Sequence, residues 1–71
     1  MYRIEGESSG FRDALGESLT IGSNVVYLIA GHRKFGKIVN ENGSNWIAED
    51  QTNARIVLSD FSVATHQVIK L

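Results

Sequence analysis

Seventy-one residues, 42% hydrophobic and 8% aromatic, are expected to form one small domain, with no room for a second. A chain of this size buries only roughly 60–65% of its unfolded surface, and zero cysteines exclude disulfides, thiolate metal sites and cysteine nucleophiles. Seven Lys and Arg against eight Asp and Glu give a net charge of −1, so any contact with nucleic acid or a membrane has to be local.

Met1 to Gly6 alternates, with Tyr2 and Ile4 against Arg3 and Glu5, and reads as an extra edge strand or a loose arm, the arm taken over residues 1–8. Ser8 and Ser9 are candidate caps for a short helix over 9–19, where Phe11, Ala14, Leu15 and Leu19 recur at helical spacing. Glu7 and Asp13 suit the positive end of its dipole. From Ser23 onward the period is that of strands. Asn24 to Ala30 is β-branched and aromatic, hence a buried strand. A turn at Gly31-His32 leads into Lys34 to Asn40, where Gly36 marks a sharp bend. Asn42-Gly43 is the strongest hairpin signal, because both residues tolerate positive φ. Asn45 to Glu49 follows, then a turn at 51–53, a fourth strand at Ala54 to Leu58, a tight Ser59-Asp60 connection and a fifth strand at Thr65 to Leu71. The expected fold is mainly β: a short N-terminal α-helix, then a strongly bent five-stranded antiparallel sheet over 23–71 forming a small open barrel.

With disulfides removed, and with His32 and His66 unable to close a zinc site between them, oligomerisation is the expected stabiliser, and no metal or cofactor is expected. No apolar run approaches the ~20 residues of a membrane span, and the start lacks the basic-then-apolar pattern of a signal peptide. The expectation is a soluble, cytoplasmic protein. An enzyme is not expected, since no nucleophile, base and orienting group stand together and no phosphate-loop spacing occurs. Glu49-Asp50 is an acidic pair at a strand end, read as a turn.

The segment Tyr27 to Ile38, with Leu28-Ile29, Gly31, Gly36 and Ile38 in order, resembles the first motif of the Sm-like family, in a divergent Hfq-like form. Phe11, Ala14 and Leu15 are similar to that family's N-terminal helix, and Leu58 to Val63 takes the place of its second motif. The resemblance runs from Phe11 to the end of the chain. It implies a barrel that pairs its fourth strand with the fifth strand of the next subunit. Arg55, Ile56, Val57 and Leu58 would then meet Val68, Ile69 and Leu71 in a cyclic homo-oligomer of about five to seven subunits. The pattern also departs from the family. Asn42 stands where the family has aspartate, and Ser59, Asp60 and Phe61 stand in the Arg-Gly-Asn places, which removes a cation from the usual RNA pocket and adds an anion.

The candidate RNA-binding residues are His32, Arg33, Lys34 and Lys37, a basic patch for phosphate, with Asn42, Asn45, Trp46 and Phe61 for bases. Each has a structural alternative: a solvated hairpin tip for the cations, core or interface packing for Trp46 and Phe61. His66 reads as a hydrogen-bonded structural residue. Two functions remain open. One is a non-enzymatic Sm-like ring that binds single-stranded RNA as chaperone or scaffold. The other is a small barrel that serves as a protein-interaction or assembly module without RNA.

Overall fold

Alternating β-branched and polar residues after Ser23 give one antiparallel sheet, and its inner face makes the core. The structure, a computed structural model, describes residues 6–71; the arm read over residues 1–8 therefore lies mostly outside the described residues. The strands are β1 (Ser8–Arg12), β2 (Ser18–Thr20), β3 (Asn24–Ile29), β4 (His32–Glu41), β5 (Ser44–Glu49), β6 (Arg55–Val57) and β7 (Ile69–Lys70). One helix, α1 (Asp60–His66), separates β6 from β7. β1 and β2 form a two-stranded sheet, and the other five pair in the order β6-β5-β4-β3-β7.

The helix expected over 9–19 is a β-hairpin instead. Phe11 faces Leu19 across the β1–β2 ladder, so two positions that share a helical stripe are cross-strand partners here. Leu15, the intervening member of that stripe, is 72% exposed at the tip. The local cause is Asp13, whose Oδ1 accepts from Leu15 N at 2.9 Å and Glu17 N at 2.8 Å, a side-chain turn that competes with helix. Gly16 completes the turn with φ +86°. Ser8 and Ser9 turn their hydroxyls to the N–H groups of Gly10 and Phe11 rather than capping a helix.

β3 to β6 lie where the sequence reading places strands, and the Asn42-Gly43 turn has φ of 54° and 79°, the left-handed pair a tight hairpin needs. Gly36 lies in the middle of β4. β4 runs through it without a break, and a Cβ there would stand 2.5 Å from the Ala48 carbonyl oxygen and 3.2 Å from the Tyr27 ring. The position is glycine because Tyr27 packs across it.

The expected fifth strand over 65–71 is cut to two residues, because α1 runs on through Thr65 and His66. Ser59 caps α1: its Oγ accepts from Ser62 N at 3.0 Å, and Ser62 Oγ accepts from Ser59 N at 2.9 Å. Gln67, left-handed at φ 49°, ends the helix, so only Ile69–Lys70 remain to pair with β3. The sheet therefore stays open, with β6 and β7 as its two edges, and does not close into a barrel. The Sm-like open barrel with an N-terminal helix is overturned: the described helix is near the C-terminus, and with its Gln67 cap it takes the first three residues of the expected fifth strand.

Leu19, Ile21, Val25, Tyr27, Ile38, Ile47, Leu58, Val63 and Val68 form the core between the inner sheet face, the β1–β2 hairpin and α1. Asn45 fastens the hairpin to the sheet, since its Nδ2 donates to the Ser9 carbonyl at 2.9 Å. No helix among the described residues is long and apolar enough to cross a membrane.

Candidate nucleic-acid interface

A sheet with one face in the core ordinarily presents polar residues on the other. This one does not. Val25 and Tyr27 in β3, and Gly36 and Ile38 in β4, point into the core, so the alternate residues face outward. Direct cross-strand partners share a face, and the registers then arrange the outer surface in rows. Ile69, Val26 and Phe35 form one row; Lys37, Ala48 and Arg55 form the next; Val39, Trp46 and Val57 form a third. Leu28 and Arg33 lie beside the first row. Neighbouring rows are two residues apart along β4, about 6–7 Å. Phe35 is 47% exposed and Val57 53%.

Apolar and cationic rows thus alternate on a face that no described element covers. It carries both signs of charge. Arg33, Lys37 and Arg55 are here, with Glu49 and Asp50 beside Phe35, whereas Glu7 and Glu17 lie on the β1–β2 side, Asp13 is buried and Asp60 starts α1. Glu41 is the acid within the rows. It holds Arg55, with Oε1 accepting from Nε at 2.9 Å and Oε2 from Nη2 at 2.9 Å. Hydrogen bonding to that guanidinium keeps the Glu41 carboxyl below the usual carboxylate range. Trp46 stands half-buried at the end of the face, where its Nε1 donates to the Glu41 carbonyl at 3.2 Å.

Where β5 leaves β4, a cleft of about 370 Å³ opens between Arg33, Lys34, Phe35, Glu49, Asp50 and Gln51. The Asp50 N–H donates to the Phe35 carbonyl at 2.9 Å and closes the ladder at this point. Glu49 Oε2 accepts from Thr52 Oγ1 at 3.0 Å. The Tyr27 hydroxyl is a buried polar atom with no hydrogen-bond partner among the described residues. Burial first, and then the charges of Glu49 and Asp50, push its ionisation up.

Of the nominated RNA-binding residues, Arg33 and Lys37 lie on the outer face with Trp46, and Lys34 joins Arg33 at the cleft. His32 is exposed at the start of β4, at the far end from Asn42 in the exposed β4–β5 turn. Asn45 is not available to a base. Its Oδ1 accepts from Asn40 Nδ2 at 2.8 Å and its amide is spent on Ser9, because its position in β5 faces inward. Phe61 is 79% exposed, but it lies in the first turn of α1 rather than lining a pore. His66 is structural, with Nδ1 3.0 Å from the Leu28 carbonyl oxygen.

The nominated interface segments fall on the two edges of the sheet: Arg55, Ile56 and Val57 in β6, and Ile69 with Leu71 at β7. Leu58 and Val68 are core residues, so their side chains hold this fold together instead of meeting a neighbour. Sequence reasoning missed Phe35 as a contact residue, and it missed the cleft. The alternation of β4 contained the signal for Phe35: with Gly36 and Ile38 inward, Phe35 had to be outward beside Lys37. Comparison of the chain with family models, with curated proteins and with solved structures finds no match.

Proposed function

We propose that the protein is a non-enzymatic binding module that takes single-stranded RNA across the outer face of its five-stranded sheet. One observation carries the reading: the uncovered row of Lys37, Ala48 and Arg55 runs between the row of Phe35 and the row of Trp46. Bases offer π-faces to aromatic rings, and the backbone offers phosphates to the cations between them. Phe35 and Trp46 are separated by about four residues of strand and one strand spacing, roughly 14 Å. A stacked strand crosses that span in about four steps at ~3.4 Å each, and an extended one in fewer. The site therefore holds about three to five nucleotides. Because one ion pair already occupies Arg55, the free cations are few and affinity is modest.

Fluorescence anisotropy with labelled single-stranded RNA at two salt concentrations tests this directly. Binding at low salt is expected to weaken as salt rises. Lys37→Glu and Phe35→Ala are each expected to reduce it. Absence of affinity at low salt, or affinity indifferent to both substitutions, contradicts the reading.

A second reading is favoured by a separate observation. The edge strand β6 is one of the segments whose β-prone sequence suggests subunit pairing, and no described strand pairs its outer side, whereas the outer side of β7 is taken by Asp13 and Ala14. In that reading the chain is an assembly module that pairs through its β6 edge. Sedimentation separates the two: assembly without RNA affinity favours the second.

A further inference from the structure

The cleft beside Phe35 carries both hydrogen-bonding signs in one hollow next to an aromatic ring. Arg33 and Lys34 only donate; Glu49 and Asp50, when ionised, only accept; Gln51 does both. Among the described residues, Arg33, Lys34 and Asp50 make no side-chain hydrogen bond or ion pair, although all three line the same space. Side chains of opposite charge left unpaired around a cavity of about 370 Å³ are available to a ligand that pairs with both. The buried Tyr27 hydroxyl, without a hydrogen-bond partner among the described residues, lies within electrostatic reach of the two carboxylates.

Resting on the RNA reading above, we propose that this cleft receives a guanine base of the bound strand. Guanine presents two adjacent donors, N1–H and the N2 amino group, on one edge, and two adjacent acceptors, O6 and N7, on the other. The donor edge suits a carboxylate of Glu49 or Asp50, the acceptor edge suits Arg33, and Phe35 supplies a wall for the ring. Uracil places two carbonyl oxygens around its single N–H, so a carboxylate meets it with repulsion. Adenine and cytosine each set a ring acceptor beside their one amino group, which turns a lone pair toward the carboxylate. Of the four bases, guanine alone answers both halves of the cleft.

The test uses labelled five-nucleotide RNAs that differ only in the central base, read by anisotropy at low salt. The guanine oligomer is expected to bind at least about tenfold more tightly than those with adenine, cytosine or uracil. Inosine, which lacks the N2 amino group, is expected to lose most of that advantage. The double variant Glu49→Gln with Asp50→Asn is expected to abolish the preference while still binding the adenine oligomer. The inosine comparison needs no variant and stands if that one fails to fold. Equal affinity for all five oligomers overturns the guanine assignment and leaves the RNA reading in place. No affinity for any of them overturns the reading on which it rests. Free guanosine monophosphate bound as tightly as the guanine oligomer overturns the placement within a strand.

Discussion

Asp13 is the residue whose replacement should reveal most about how so small a fold stays together. It is 5% exposed at the tip of the β1–β2 hairpin. Oδ1 accepts from Leu15 N at 2.9 Å and Glu17 N at 2.8 Å; Oδ2 accepts from Lys70 N at 2.8 Å, a contact that joins the hairpin tip to β7. The neighbouring Ala14 N–H donates to the Val68 carbonyl at 2.7 Å, so the two segments are tied side by side. In Asp13→Asn the amide oxygen can keep the turn contacts, but the amide nitrogen then faces the Lys70 N–H, donor against donor. A hydrogen bond to a charged group is worth ~1.5–3 kcal/mol, so the variant should lose about 2–3 kcal/mol. Against a total of roughly 4–10 kcal/mol for a domain of this length, that loss is large.

The same residue gives the fold a dependence on pH. Burial raises the Asp13 pKa, but the backbone N–H groups of Lys70, Glu17, Leu15 and Gly16 outweigh it, and the net direction is below the ordinary value of 3.8. A carboxyl whose folded pKa is depressed contributes stability above its unfolded pKa, and that contribution fades as pH falls through the folded value. Urea unfolding followed by Trp46 fluorescence should show a constant gap between wild type and Asp13→Asn at neutral pH. The gap should narrow below about pH 4. A variant as stable as wild type at pH 7, or a gap that widens on acidification, would refute the argument.

Three further substitutions test separate parts of the account. Tyr27→Phe removes a buried hydroxyl that has no partner among the described residues, so thermal unfolding should show unchanged stability or a gain of up to about 1 kcal/mol; a clear loss would reveal a partner. Gly36→Ala puts a Cβ against the Ala48 carbonyl and the Tyr27 ring and should cost about 1–3 kcal/mol in urea denaturation. A neutral result there would mean that Tyr27 does not pack across β4. Ser59→Ala removes the cap of α1 and should cost about 1 kcal/mol, with amide exchange accelerated first in residues 60–66; exchange unchanged there would show that the cap is not what holds the helix.

The second half of the chain was legible because its signals are short-range. Asn42-Gly43 fixes a hairpin by backbone conformation alone, and the strands on either side alternate around it. The N-terminal third was misread because Phe11, Leu15 and Leu19 fit a helical period equally well. The Asp13 carboxylate decides the issue, and one of its backbone partners, Lys70, is 57 residues away. The C-terminal segment failed for a related reason. Ser59 and Ser62 cap each other through two hydroxyls, a pair that looks like an ordinary polar turn. The basic patch was visible, but its meaning depended on parity. Arg33 and Lys37 belong to a surface only because Gly36 and Ile38 face the core. Asn45 looked like a base contact and is internal for the same reason.

The claim that the outer sheet face is the RNA surface is tested most directly by amide and indole chemical shifts during titration with a guanine-containing five-nucleotide RNA. The account predicts that Val26, Arg33, Phe35, Lys37 and the Trp46 indole N–H move together and saturate together. Residues of the β1–β2 hairpin and α1 should stay in place. Shifts confined to the edge strands or to α1, or no shifts at low salt, would contradict it.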